Sequence, residues 1–141
     1  MATKQQINDF IKLIGPLVQK YALAGGYKYP SAIIAQAIHE SGVTSKLSTD
    51  YFNYFGMKCG STWKGPSVKK EYVSGNYVNC SANWRAYSSP EEGIKGYFDF
   101  LKMVRYSNLK QAVSPADYIG KIVADGWCTS PASVYVPKCI K

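Results

Sequence analysis

The sequence predicts an α+β fold, mainly α, in which a helical core carries one small β-hairpin lobe beside a groove. Three observations point there. Apolar residues recur at helical spacing in the N-terminal third and again after Ser89, and two serine–proline pairs announce helix starts. Between Thr44 and Tyr87 that pattern gives way to Gly, Asn, Ser, aromatics and β-prone stretches. With 141 residues, 46% of them hydrophobic, the chain can bury one good core but hardly two, so residues 1–141 are expected to form a single domain.

The elements follow in order. Ile7, Phe10, Ile11, Ile14, Val18, Tyr21 and Ala22 mark one face of an amphipathic helix, interrupted or kinked at Gly15-Pro16 because proline cannot donate to the preceding turn. Gly25-Gly26 stops it. Pro30-Ser31 opens a second helix, Ser31 to about Ser41, apolar nearly all round and therefore the expected buried central helix, with Gly42 its terminator. Ser67 to Val73 and Tyr77 to Cys80, separated by Ser74-Gly75-Asn76, read as a hairpin. Ser89-Pro90-Glu91-Glu92 caps a helix through Ile94, Tyr97, Phe98 and Leu101, and Ser114-Pro115-Ala116-Asp117 does the same before Ile119, Ile122 and Val123. A last short helix is expected over Ala132 to Ile140.

Seventeen Lys or Arg against nine Asp or Glu leave a net charge of +8, which suggests a polyanionic partner: nucleic acid, an acidic membrane, or an anionic polymer such as a bacterial cell wall. The basic residues are scattered and only Arg85 and Arg105 are arginines, which disfavours sequence-specific nucleic-acid binding. No apolar run approaches the roughly 18 residues that cross a bilayer, and Met1-Ala2-Thr3-Lys4-Gln5-Gln6 lacks the features of a secretory signal. A soluble chain is expected, released by other means or excised from a longer protein. The single histidine, His39, excludes sites built from two or three imidazoles; neither metal nor cofactor is expected, and acid–base chemistry falls to carboxylates. Cys59, Cys80, Cys128 and Cys139 show no C-x-x-C spacing. Their order suggests local bridges Cys59–Cys80 and Cys128–Cys139 and an oxidising environment, with other pairings and reduced, partly buried thiols as the alternatives.

Most of the nine carboxylates have ordinary explanations. Glu91, Glu92 and Asp117 stand in first helical turns, where the dipole favours them. Asp9 with Lys12 and Asp99 with Lys102 are surface pairs, and Asp50 and Asp125 sit in turns. Glu40 differs. It shares a face with Ile33, Gln36 and Ala37 at the edge of the most apolar helix, and in that helix's last turn the dipole disfavours a negative charge by about 0.3 to 1 kcal/mol. Both effects favour the protonated form that a glycosidase general acid requires; the plainer alternative is a Glu paired with a nearby Lys. Glu71, mid-strand on the hairpin, faces away from Lys70 and Tyr72 and is either a solvated strand charge or a second carboxyl across a sugar-binding groove. Tyr51, Phe52, Tyr54, Phe55, Trp63, Tyr72, Tyr77 and Trp84 crowd the same lobe, as rings for stacking on sugars or as its core.

Ala35-Gln36-Ala37-Ile38-His39-Glu40-Ser41-Gly42, followed by Asn53-Tyr54-Phe55-Gly56-Met57-Lys58, resembles the paired AQA-x-x-ESG and N-x-F-G-I-K motifs of glycoside hydrolase family 73, the endo-β-N-acetylglucosaminidase domains of bacterial autolysins, phage lysins and flagellar peptidoglycan hydrolases. The likeness continues at Tyr87-Ser88-Ser89-Pro90-Glu91-Glu92-Gly93-Ile94, at Tyr97-Phe98-Asp99-Phe100-Leu101, and at Gly126-Trp127-Cys128-Thr129-Ser130-Pro131, where the family reads G-Y-A-T-D-P. It implies a lysozyme-like fold and cleavage of the β-1,4 bond after N-acetylglucosamine in peptidoglycan; the alternatives are a lytic transglycosylase or muramidase on the same fold, or a noncatalytic wall-binding module. A monomer acting in the bacterial cell wall is expected, with no nucleic-acid partner and no membrane insertion. It places the catalytic acid on Glu40 and the second acidic residue on Glu71, with Gln36, Asn53, Tyr54, Phe55, Gly56, Trp63, Tyr72, Trp127 and Tyr135 as substrate-binding candidates. Trp127 stands where the family has a tyrosine, keeping an aromatic wall but losing a hydroxyl. The four cysteines are not a general family feature.

Overall fold

The computed structural model describes residues 2–60, 63–73 and 79–127, with the strand residues 70–73 and 79–82 described by backbone alone. The expected final helix over 132–140 lies outside these residues. Helix α1, Lys4–Gly25, opens with a reciprocal capping box: Gln6 N–H donates to the Thr3 hydroxyl at 3.1 Å, and Thr3 N–H donates to Gln6 Oε1 at 2.8 Å. It contains Pro16 and closes on Gly26 in the left-handed conformation at φ 82°. Phe10, Ile14, Val18 and Ala22 form its buried stripe.

Helix α2, Pro30–Ser41, begins on its proline and ends on Gly42 at φ 60°, whose N–H reaches the Ile38 carbonyl. It packs between α1 and the later helix α5, Pro115–Ala124, burying Ala32, Ile33, Gln36 and Ala37. Its other face is only half covered at Ile34, Ala35 and Ile38. Helix α4, Pro90–Phe100, and α5 both start as the Ser-Pro signatures require, each serine hydroxyl accepting a backbone N–H three residues on.

Antiparallel strands β1, Ser67–Val73, and β2, Asn79–Arg85, pair from Ser67↔Arg85 to Val73↔Asn79. Strand β2 extends to Arg85, well past the predicted end at Cys80. Ser81 to Arg85 alternates polar and apolar residues, a strand pattern that the prediction passed over. The hairpin joins the body at its base, where Arg85 N–H donates to the Met57 carbonyl at 3.0 Å, Cys59 N–H to Asn83 at 2.9 Å and Ala86 N–H to Pro66 at 3.0 Å.

Two elements were not anticipated. One is the single turn α3, Lys46–Thr49, capped by Ser45; the other is the 3₁₀ helix Val104–Gln111. The second buries Tyr106 and Leu109, three residues apart, which is the period at which side chains eclipse in a 3₁₀ helix. Among the surface charges, Asp99 pairs with Lys102 at 3.2 Å as expected, whereas Asp9 accepts from Gln5 Nε2 at 2.8 Å. Glu91 does more than face a helix dipole: it accepts from Lys20 Nζ at 2.7 Å and the Tyr21 hydroxyl at 2.9 Å, tying α4 to α1. No helix among the described residues is long and apolar enough to cross a membrane.

Candidate active site

Helix α2 ends at the floor of a groove of about 640 Å³ between the base of the hairpin and the C-terminal helices. Glu40, half-buried in the last turn of α2, lines it. Opposite lies Gly56, at φ 64°, where an added Cβ would stand 3.4 Å from Glu40 Oε2. Glycine there serves both a backbone turn that L-residues rarely make and the space beside the carboxyl group.

The loop carrying Gly56 is fixed by Asn53, which is 2% exposed. Its Nδ2 donates to the carbonyls of Met57 at 2.9 Å and Arg85 at 2.8 Å, and its Oδ1 accepts from Met57 N–H at 3.0 Å. One side chain thus joins loop and hairpin. Aromatic rings build the walls. Phe55 stacks on Tyr97 at 3.9 Å between ring centres, and Trp127 meets Tyr97 at 5.5 Å, Phe100 at 5.7 Å and Tyr106 at 6.1 Å, all near edge-on. Cations lie on several of these faces: Lys58 over Trp84 at 5.4 Å, Arg105 over Tyr106 at 5.9 Å, and Arg85 between Trp63 at 4.8 Å and Phe100 at 5.2 Å, its Nε donating to the Lys58 carbonyl at 3.0 Å. Burial raises the Tyr106 phenol above its ordinary range, with Arg105 opposing the shift.

Of the residues proposed from sequence, Glu40, Phe55, Gly56 and Trp127 do line the groove, as does Trp84. Gln36 does not: it is fully buried beneath the groove, its Oε1 accepting from the Tyr97 hydroxyl at 2.7 Å, and the Tyr97 hydroxyl in turn lies 2.6 Å from that of Tyr118. Substrate contact is therefore corrected to a core role. Asn53 is likewise a structural staple, and Tyr54, 2% exposed and edge-on to Phe10 at 5.4 Å, belongs to the core, where burial pushes its phenol up to about 12. Trp63 donates its indole N–H to the Pro66 carbonyl at 2.8 Å and reaches the groove through Arg85. Glu71 pairs with Ser81 by backbone, but its side chain, that of Tyr72, and all of Tyr77 and Tyr135 lie outside the described residues.

The expected Cys59–Cys80 bridge is not made, since Cys59 is a half-buried free thiol at the groove edge. The register explains this. Cys59 is bonded opposite Asn83, while Cys80 pairs with Tyr72 further along β2, about 10 Å away by strand rise, whereas a disulfide needs Cα atoms within about 7 Å. Cys128 and Cys139 lie outside the described residues. Among those residues no three His, Cys, Asp or Glu side chains gather as a metal site.

Sequence reasoning missed Met57, Met103, Arg105 and Tyr106 as groove residues. Phe100 offered a usable signal: it is an aromatic set off the apolar stripe of its own helix, so it needed another surface to cover.

A mainly helical body with a hairpin lobe across an aromatic groove, and a carboxyl group where a buried helix meets that groove, defines the lysozyme-like glycoside hydrolases. Residues 15–141 match the glucosaminidase family model, described as mannosyl-glycoprotein endo-beta-N-acetylglucosaminidase, and the chain belongs to that family. It is 32% identical over 134 residues to the peptidoglycan hydrolase FlgJ of Pseudomonas aeruginosa, covering 88% of this chain and 33% of that protein. It is 36% identical over 104 residues to a Lactococcus lactis protein named "Probable N-acetylmuramidase", covering 70% of this chain and 23% of that protein. The chain thus spans a third or less of these relatives. Among solved structures, a peptidoglycan hydrolase from Sphingomonas sp. A1 superposes with a TM-score of 0.81 at 26% identity, covering 93% of this chain and 83% of that one.

Proposed function

We propose that residues 1–141 form one catalytic domain that cleaves the β-1,4 bond after N-acetylglucosamine in peptidoglycan, acting as a monomer in the bacterial cell wall. The observation that carries this reading is the carboxyl group of Glu40, presented by a buried helix to an aromatic groove with Gly56 leaving room beside it. The names of the Pseudomonas and Sphingomonas relatives support peptidoglycan as the polymer. Glu40, protonated, gives its proton to the glycosidic oxygen as an oxocarbenium-like transition state forms. Ionised Glu71 activates a water on the opposite sugar face, giving inversion, if the two carboxyl groups stand about 6.5 to 9.5 Å apart; otherwise the substrate's own N-acetyl oxygen takes that part.

Glu40→Gln is expected to abolish lysis of purified walls while leaving the unfolding transition in place. Substantial lysis by the folded variant would refute the assignment. Glu71→Gln should lose most but not all of the rate, and an undiminished rate would make Glu71 a surface charge. The Lactococcus relative's name favours a second reading, cleavage after N-acetylmuramic acid. Mass spectrometry of the digest separates the two: reducing ends bearing N-acetylglucosamine support the first reading, and muramic ends the second.

A further inference from the structure

The groove holds more positive charge than breaking a bond between neutral sugars requires. Lys58, Arg85 and Arg105 line it together with Glu40. A cation beside a general acid favours the acid's ionised form and so opposes its task, which means these charges need a purpose of their own. The two arginines are the informative ones. Arg85 is only 8% exposed and lies between two aromatic faces. Arg105 is exposed at the rim, over Tyr106, with its guanidinium 3.7 to 3.8 Å from where a Cβ on Gly126 would stand. Neither arginine takes part in the ion pairs Lys20–Glu91, Lys102–Asp99 and Lys121–Asp117, although the charge of Arg105 is felt by the Asp125 carboxyl. Planar guanidinium groups braced on rings are preorganised for a carboxylate, whose two oxygens match the fork. If the substrate is peptidoglycan, as proposed above, its glycan strand carries such carboxylates on the peptides attached to every second sugar.

Resting on that reading, we infer that Arg105, with Arg85 lining the same groove, receives a free carboxylate of the strand's peptides, so that the groove selects anionic peptide-bearing glycan over the same glycan with its charge removed. The test uses soluble uncrosslinked strand fragments with their peptide carboxylates free, and the same fragments after carbodiimide coupling to ammonia. The protein should cleave the free-carboxylate fragments with a kcat/KM about tenfold higher, the scale of one charge-assisted hydrogen bond. Arg105→Ala should shrink that preference severalfold, mainly through KM, and Arg105→Lys should restore part of it. Equal rates on the two fragments, or an Arg105→Ala loss of the same size on both, would overturn the inference while leaving glycosidase activity in place. If neither fragment releases reducing ends, the activity reading fails. Quenching of tryptophan fluorescence by the same fragments then decides the carboxylate question separately: tighter binding of the charged form supports it, and equal affinities overturn it.

Discussion

The hydroxyl of Tyr97 joins two buried polar partners beneath the groove. It donates to Gln36 and meets Tyr118 in a space closed to solvent, so removing it strands two buried partners. Tyr97→Phe should cost about 1 to 3 kcal/mol, read as a lower urea midpoint with unchanged slope. Burial raises the Tyr118 phenol far above its ordinary range. Gln36 also shows where sequence reasoning stops. Helical periodicity correctly put it on the face of Glu40, but it could not tell that two tyrosines from α4 and α5 cover that part of the face. Glu40, one turn later, escapes their cover, and the sorting of carboxylates by local role singled it out without knowledge of any neighbour.

At the scale of elements, α4 shows how closely the lobe loop and the helices are fitted. Phe52, in the left-handed region at φ 55°, turns its carbonyl onto Gly93, and a Cβ on Gly93 would stand far inside van der Waals contact with that oxygen. Gly93→Ala should therefore cost about 3 kcal/mol by forcing helix and loop apart, measurable as a lower denaturation midpoint. The clasp from α4 to α1 is electrostatic. Hydrogen bonds from Lys20 and then Tyr21 hold the Glu91 carboxyl below its usual 4.5. Because the folded value is the lower one, its contribution is present above the unfolded value and fades as pH falls through the folded one. Melting temperatures of the wild type and Glu91→Gln should differ near neutral pH and converge in acid. The α4 and α5 starts were legible because Ser-Pro signatures are local chemistry, whereas the Thr3–Gln6 capping box of α1 went unread. Helix α3 and the 3₁₀ helix were not legible, because a single capped turn and a three-residue period leave little trace in composition, whereas the alternation in the second half of β2 was there to be read and was missed.

For the whole molecule, the excess of positive charge would draw it toward an anionic polymer such as the proposed wall substrate. Screening lengths shrink to about 10 Å at 0.1 M salt, so turbidity loss of wall suspensions should slow as salt rises while the melting temperature stays nearly constant. Equal slowing of lysis and loss of fold would instead place the charge effect on stability. The hairpin, finally, meets the body through the carbonyl and amide groups at its base and through the amide of Asn53. Its outer ladder pairs with itself, from Lys70↔Ala82 to Val73↔Asn79. For an engineer this makes the lobe a cassette. On the proposed mechanism the rung Glu71↔Ser81 must stay, because it carries the second carboxyl group, whereas the outermost rung, Val73↔Asn79, can be exchanged while Glu40, Gly56 and the tyrosine network keep their places.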